Sequence, residues 1–222
     1  MKRWETASLS EIEAIPSTGT LHWTPVRRHF GIAAFGINAF IAAEAGQDVV
    51  EQHHEKVREH EEAYVVLNGV AAFTLDGETV EARAGTILYI ADPTVERSAV
   101  AKEAGTTVLA IGGKPGKAYE PGPWENIYAA RPAGEAGDYE TAIAELKQGL
   151  ELHPSHRFLL YRLACWEALA GKNDDALDHL WQAVSQDKSI GDWAQNEDAF
   201  ASIRDDSRFP SASATEDDPP VP

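Results

Sequence analysis

The chain has 222 residues, 43% hydrophobic and 25% charged, the balance of a globular protein with a sizeable core and room for a smaller second unit. Its 19 lysines and arginines face 36 acidic residues, a formal charge of −17, and such a field repels nucleic acid and anionic lipid, so neither is expected as a partner. No apolar run reaches membrane-spanning length. The opening residues, MKRWETASLSEIEAIP, lack the apolar core of a signal peptide. Cys165 is the only cysteine, which rules out an internal disulfide and suits a reducing, cytoplasmic setting. Its neighbours Ala164 and Trp166 suggest a packed thiol.

Residues 1–30 read as an N-terminal arm, in which His22 and His29 are ordinary strand or surface histidines. From there short apolar runs recur between glycine and charged turns: 29–43, 62–69, 71–77, 78–85, 86–92, 97–105 and 106–113. Asn68-Gly69 and Asp76-Gly77 carry hairpin-turn chemistry. No helical pattern separates the runs, so the expectation is an antiparallel all-β sandwich or barrel over 31–113. Tyr64 and Tyr89 fall in strand patterns and are expected to pack. Residues 114–138 are rich in proline and glycine and read as a connection, pinned by Trp124, Ile127 and Tyr128.

Beyond residue 138 the period becomes helical. Ala142, Leu146, Gly149 and Leu150 share one face, and Gly171 ends the next helix. Asn173 is the expected cap of a helix with the stripe Ala176, Leu177, Leu180, Ala183 and Val184. Ala142 and Ala176, each opening an A-x-x-x-L pattern, lie 34 residues apart. Residues 139–209 thus resemble tetratricopeptide repeats, whose period is about 34. Leu160, Leu163 and Ala164 suit a first helix, Glu167 replaces the usual tyrosine, and the first repeat lacks a clear first helix. Residues 210–222 are acidic and proline-rich, and disorder is expected there.

The chemistry concentrates in EQHHEKVREHEEAYVVLNG, residues 51–69. If residues 49–54 are extended, Gln52 and His54 face one way and His53 the other. His60 and Glu62 then share the inward face that Tyr64 and Val66 continue. Imidazole nitrogen with carboxylate oxygen suits a divalent Fe, Mn, Ni, Zn or Cu ion. A charged loop beside a strand explains the same residues without a metal. Arg97 is expected to pair with Asp92 in a charged turn.

Residues 31–113 resemble a cupin, an antiparallel β-barrel of jelly-roll type. The family's first motif is G-x5-H-x-H-x3-4-E-x6-G; Gly46, Gln52, His54, Glu62 and Gly69 stand at its positions, with a longer loop that contains His60. In the second motif, G-x5-P-x-G-x2-H-x3-N, Gly85 opens, Ala91 and Pro93 fill the proline and glycine positions, Glu96 takes the histidine and Val100 the asparagine. The resemblance implies a metal shell of Gln52, His54, Glu62 and Glu96, with His60 as a fifth donor. It also implies a homodimer and a small-molecule ligand. Two functions stay open: a metal-dependent enzyme such as a dioxygenase or isomerase, or a non-catalytic ligand sensor or adaptor whose helical region holds a protein partner.

Overall fold

The computed structural model describes residues 5–211; the acidic tail expected to be disordered lies outside them from residue 212. The chain divides into two compact units, Met1–Pro121 and Gly122–Pro222. No helix among the described residues is long and apolar enough to cross a membrane.

The first unit contains β1 (Ile15–Pro16), β2 (His22–Thr24), the short α1 (Val26–Phe30), β3 (Gly36–Ile41), β4 (Asp48–His53), β5 (Glu61–Asn68), β6 (Val70–Leu75), β7 (Glu78–Arg83), β8 (Ile87–Ile90), β9 (Arg97–Ala101) and β10 (Thr107–Gly113). Every pairing is antiparallel. The antiparallel all-β expectation holds, but the strands do not close into a hydrogen-bonded barrel. They form a six-stranded sheet, β1-β2-β3-β10-β5-β8, and a four-stranded sheet, β4-β9-β6-β7. The arm contributes β1 and β2 to the larger sheet. Side chains join the sheets instead: Tyr64, Val66 and Val108 of the larger sheet and Phe73, Ala82 and Ala99 of the smaller share one buried cluster. Burying a large apolar side chain of this kind stabilises by about 1.5–3 kcal/mol.

The two glycine turns differ. Asp76 (φ 47°) and Gly77 (φ 88°) both take positive φ and join β6 to β7 with Leu75 opposite Glu78, the tight hairpin their chemistry predicts. Asn68-Gly69 makes no hairpin, because β5 pairs with β10 and β8 and not with β6. It is the corner where the chain changes sheets. The Asn68 amide donates to the Gly105 carbonyl at 2.8 Å, and a Cβ on Gly69 (φ 73°) would sit 2.5 Å from Thr106 Oγ1. Only glycine passes that close.

The second unit contains α2 (Pro123–Glu135), α3 (Tyr139–Leu152), α4 (Arg157–Leu169), α5 (Asn173–Gln186) and α6 (Ser189–Asn196). The segment read as a connection is therefore largely a helix. Pro123 stands in its first turn, where a missing N–H costs nothing. Pro132 inside it is tolerated because the helix is held by packing: Ile127 and Ala130 join Ile143, Leu146 and Leu163 in one cluster. A helix thus precedes α3 where the sequence announced none. Gly171 (φ 75°) ends α4 as expected, with Lys172 N–H on Glu167 O at 2.9 Å and Gly171 N–H on Ala168 O at 3.0 Å. Asn173 does not cap α5; Lys172 holds that position, and Asp174 and Asp175 place negative charge in the first turn. Cys165 is buried and its thiol is pushed up to about 12 by burial.

Candidate metal centre

The inner face of the four-stranded sheet is set by β9, where Arg97, Ala99 and Ala101 are buried and alternate with Ser98 and Val100. Strand β4 runs beside it with Asp48 opposite Val100, Val50 opposite Ala99 and His53 opposite Arg97. Three steps along β4 match two along β9 between the last two pairs, so β4 carries an extra residue there. Strict alternation from buried Val50 would turn Gln52 and His54 inward. The bulge moves the inward phase by one, and His53 turns in. The expected direction of the two neighbouring histidines is thereby reversed.

The expected ligand set divides accordingly. His54 is exposed. Gln52 Nε2 donates to Glu96 Oε1 at 2.8 Å, an exposed pair in which the two residues satisfy one another. Glu62 stands on the inner face of β5, as alternation with Tyr64 and Val66 predicts, and His60 is buried just ahead of it. The buried position on β9 belongs to Arg97, one residue past Glu96. Arg97 does not pair with Asp92, whose carboxylate accepts from the Thr94 N–H at 2.8 Å. Its ion pair is with Glu62, Nη1 to Oε2 at 3.7 Å.

Among the described residues, His53, Glu55 and Glu62 form a group whose ligand atoms all lie within 4.8 Å of one another. Glu55 was not anticipated. It opens a tight turn in which Arg58 and Glu59 N–H groups both bond its carbonyl, at 3.1 and 2.7 Å, while its own N–H bonds Pro93 O at 2.9 Å. Glu59 takes a positive φ of 56° to complete the turn, and an ion pair with Lys114 holds its side chain. The longer loop is therefore compact, and it delivers Glu55 at one end and His60 at the other. His60 Nδ1 lies 3.6 Å from Glu55 Oε2, and the His60 ring packs 5.6 Å from that of Tyr119.

The ring nitrogen and two carboxylates converge. His53 Nδ1 lies 2.8 Å from the Glu51 carbonyl, which can only accept, so Nδ1 carries a proton and Nε2 faces the carboxylates. That Nε2 is 3.8 Å from Glu55 Oε1 and 3.7 Å from Glu62 Oε2. A backbone acceptor behind the imidazole is the usual support of a metal-binding histidine. Tyr64, buried, donates its hydroxyl to Glu62 Oε2 at 2.6 Å and fixes that carboxylate, a polar role beyond the packing expected of it. Tyr89 is exposed and bonds Glu61 outside the site.

Charge is tightly balanced here. Burial pulls the Glu62 carboxyl up, but the adjacent His53, the hydrogen bond from Tyr64 and the Arg97 charge outweigh it, leaving the pKa below the ordinary value. Glu55 is pushed up by burial and by the Glu62 charge. Burial depresses His53, yet the neighbouring Glu62 carboxylate and the Glu51 carbonyl leave it raised. His60 is lowered, by burial and by Arg58. Arg97 has no solvent exposure, and none of its three nitrogens makes a hydrogen bond. An orphaned buried donor typically costs about 1–3 kcal/mol.

No family model and no curated protein matches the chain. Several solved structures are similar to part of it. One is a sugar phosphate isomerase from a cupin superfamily, from Silicibacter pomeroyi, at 19% identity over 50% of this chain and 76% of that one, with a TM-score of 0.42. Another is a cupin protein from Bacteroides fragilis, at 25% identity over 55% and 92%, with a TM-score of 0.38. A third is a predicted oxalate decarboxylase from Thermotoga maritima, at 18% identity over 50% and 99%, with a TM-score of 0.41. Likeness at this level assigns neither an activity nor a ligand to this chain.

Proposed function

We propose that the strand-rich unit is a cupin-type small-molecule-binding domain that holds a divalent metal at His53, Glu55 and Glu62. The observation that carries this reading is the convergence of one imidazole nitrogen and two carboxylates within 4.8 Å, with the imidazole proton engaged behind it by the Glu51 carbonyl. One nitrogen and two oxygen donors suit a borderline or hard ion such as Zn, Mn or Fe. When bound, such an ion supplies Lewis acidity toward a ligand oxygen at open coordination positions. The chain's own groups do the rest. Tyr64 holds Glu62 in place, and His60 stands against the second oxygen of Glu55. Among the expected ligands, Glu62 and His60 belong to this proposal, and His54, Gln52 and Glu96 do not. An enzyme of the dioxygenase or isomerase kind is compatible with three protein ligands and open positions, and the reaction is left unassigned.

Elemental analysis of protein reconstituted with zinc or manganese tests the reading. Near one metal per chain is expected. His53→Ala and Glu62→Gln should each weaken retention at least tenfold, and His54→Ala should leave it unchanged. Absence of metal from reconstituted wild type ends the proposal. Equal losses in the His53 and His54 variants would show that the bulge does not set the register.

A further inference from the structure

Arg97 is the part of this pocket that the metal reading leaves unexplained. The guanidinium is fully buried, its Nε, Nη1 and Nη2 have no hydrogen-bond partner, and its nearest opposite charge, Glu62, lies at 3.7 Å. Five features make that position informative. It faces His53 directly across β4 and β9. Its Nη1 and the His53 Nε2 are each 3.7 Å from the same oxygen, Glu62 Oε2. That separation is too long for a hydrogen bond, so Glu62 does not satisfy the fork, and Oε2 also accepts from the Tyr64 hydroxyl at 2.6 Å. His53, Glu55 and Glu62 retain side-chain exposures of 24%, 15% and 13%, so the cluster beside Arg97 is open to solvent. Finally, a dication held by Glu55 and Glu62 would offset their two charges, so they would no longer balance the guanidinium.

A buried, planar, uncompensated guanidinium is matched by an anion with two coplanar oxygens, which takes parallel N–H bonds and neutralises the charge together. We propose that Arg97 is the anchor for a carboxylate group of the small molecule bound at this site, which makes the ligand an organic acid. The inference rests on the metal reading, since without a dication the Glu55 and Glu62 charges oppose an anion. Arg97 specifies the ligand and is not a metal ligand.

The test uses the full chain loaded with zinc, which is diamagnetic. Malonate serves as the carboxylate probe and malonamide as its uncharged isostere, and both are followed by the arginine Nε–Hε signal in nitrogen-15 NMR. Arg97→Lys assigns the signal. Malonate should shift the Arg97 resonance and bind at least tenfold more tightly than malonamide. Arg97→Gln should keep its zinc by elemental analysis and lose at least tenfold in malonate affinity, with Arg97→Lys, which keeps the charge without the fork, in between. If zinc stays bound and malonate leaves the Arg97 resonance unmoved, Arg97 takes no carboxylate and the inference is overturned. That measurement is made on wild type and needs only Arg97→Lys to fold, for the assignment. If the protein retains no zinc, the metal reading falls and the inference falls with it; if zinc is retained and malonate does not bind, the inference alone falls.

Discussion

Glu167 illustrates how a single residue sets a condition on its surroundings. It lies on α4 and is fully buried. A buried carboxylate is stable only when paired. His179 Nδ1 lies 2.6 Å from its Oε2, and Lys147 Nζ lies 3.5 Å from its Oε1. The hydrogen bond to Glu167 raises the His179 pKa above 6.5, with burial opposing. Protonated His179 therefore favours the folded state. Its contribution is complete below the unfolded value of 6.5 and is lost as the pH rises through the higher folded value. The difference in thermal midpoint between wild type and His179→Gln should be largest near pH 6 and shrink steadily above it. A difference constant from pH 5.5 to 8.5 would show that His179 stabilises by packing alone.

At the scale of elements, small departures from regularity decide what the regular pattern displays. One extra residue in β4 exchanges His54 for His53, and one glycine corner sends the chain from β5 into the other sheet. Helix α2 makes the same point for helices. A Cβ on Gly134 would stand 2.5 Å from the Trp166 ring of α4, and that ring is itself stacked on Tyr139 of α3 at 6.1 Å. Gly134→Ala gains about 1 kcal/mol in helix propensity. The overpacking costs about 1–3 kcal/mol. A net loss is expected, read as a lower thermal midpoint of the helical signal. Pairing it with Trp166→Leu should recover part of the loss. A stabilised single variant would mean that α2 and α4 separate readily.

At the scale of the molecule, the proposed chemistry belongs to one unit. Every residue of the metal centre lies before Pro121, and the clusters that contain Leu146, Leu163, Leu180 and Phe200 lie after it. A chain ending at Pro121 should keep near one zinc per molecule, and a chain beginning at Gly122 should keep none. Zinc at roughly 100 times its dissociation constant should stabilise the first fragment by about 2.7 kcal/mol. Loss of metal from a folded first fragment would place part of the centre in the second unit.

The amino-acid order alone determined the strand-rich first unit, the hairpin at Asp76-Gly77, the inward face of Glu62, Tyr64 and Val66, the packed Cys165 and the helix stop at Gly171. Each follows from a local cause: a period of two, a positive φ, or a run of apolar neighbours. Tertiary structure decided which histidine enters the pocket, that Glu55 and Arg97 join it, that Asn68-Gly69 turns between sheets, and that residues 123–135 are helical. Those outcomes depend on a partner strand or a packed neighbour. A bulge exists only relative to the strand opposite, and the burial of a charge only relative to what surrounds it.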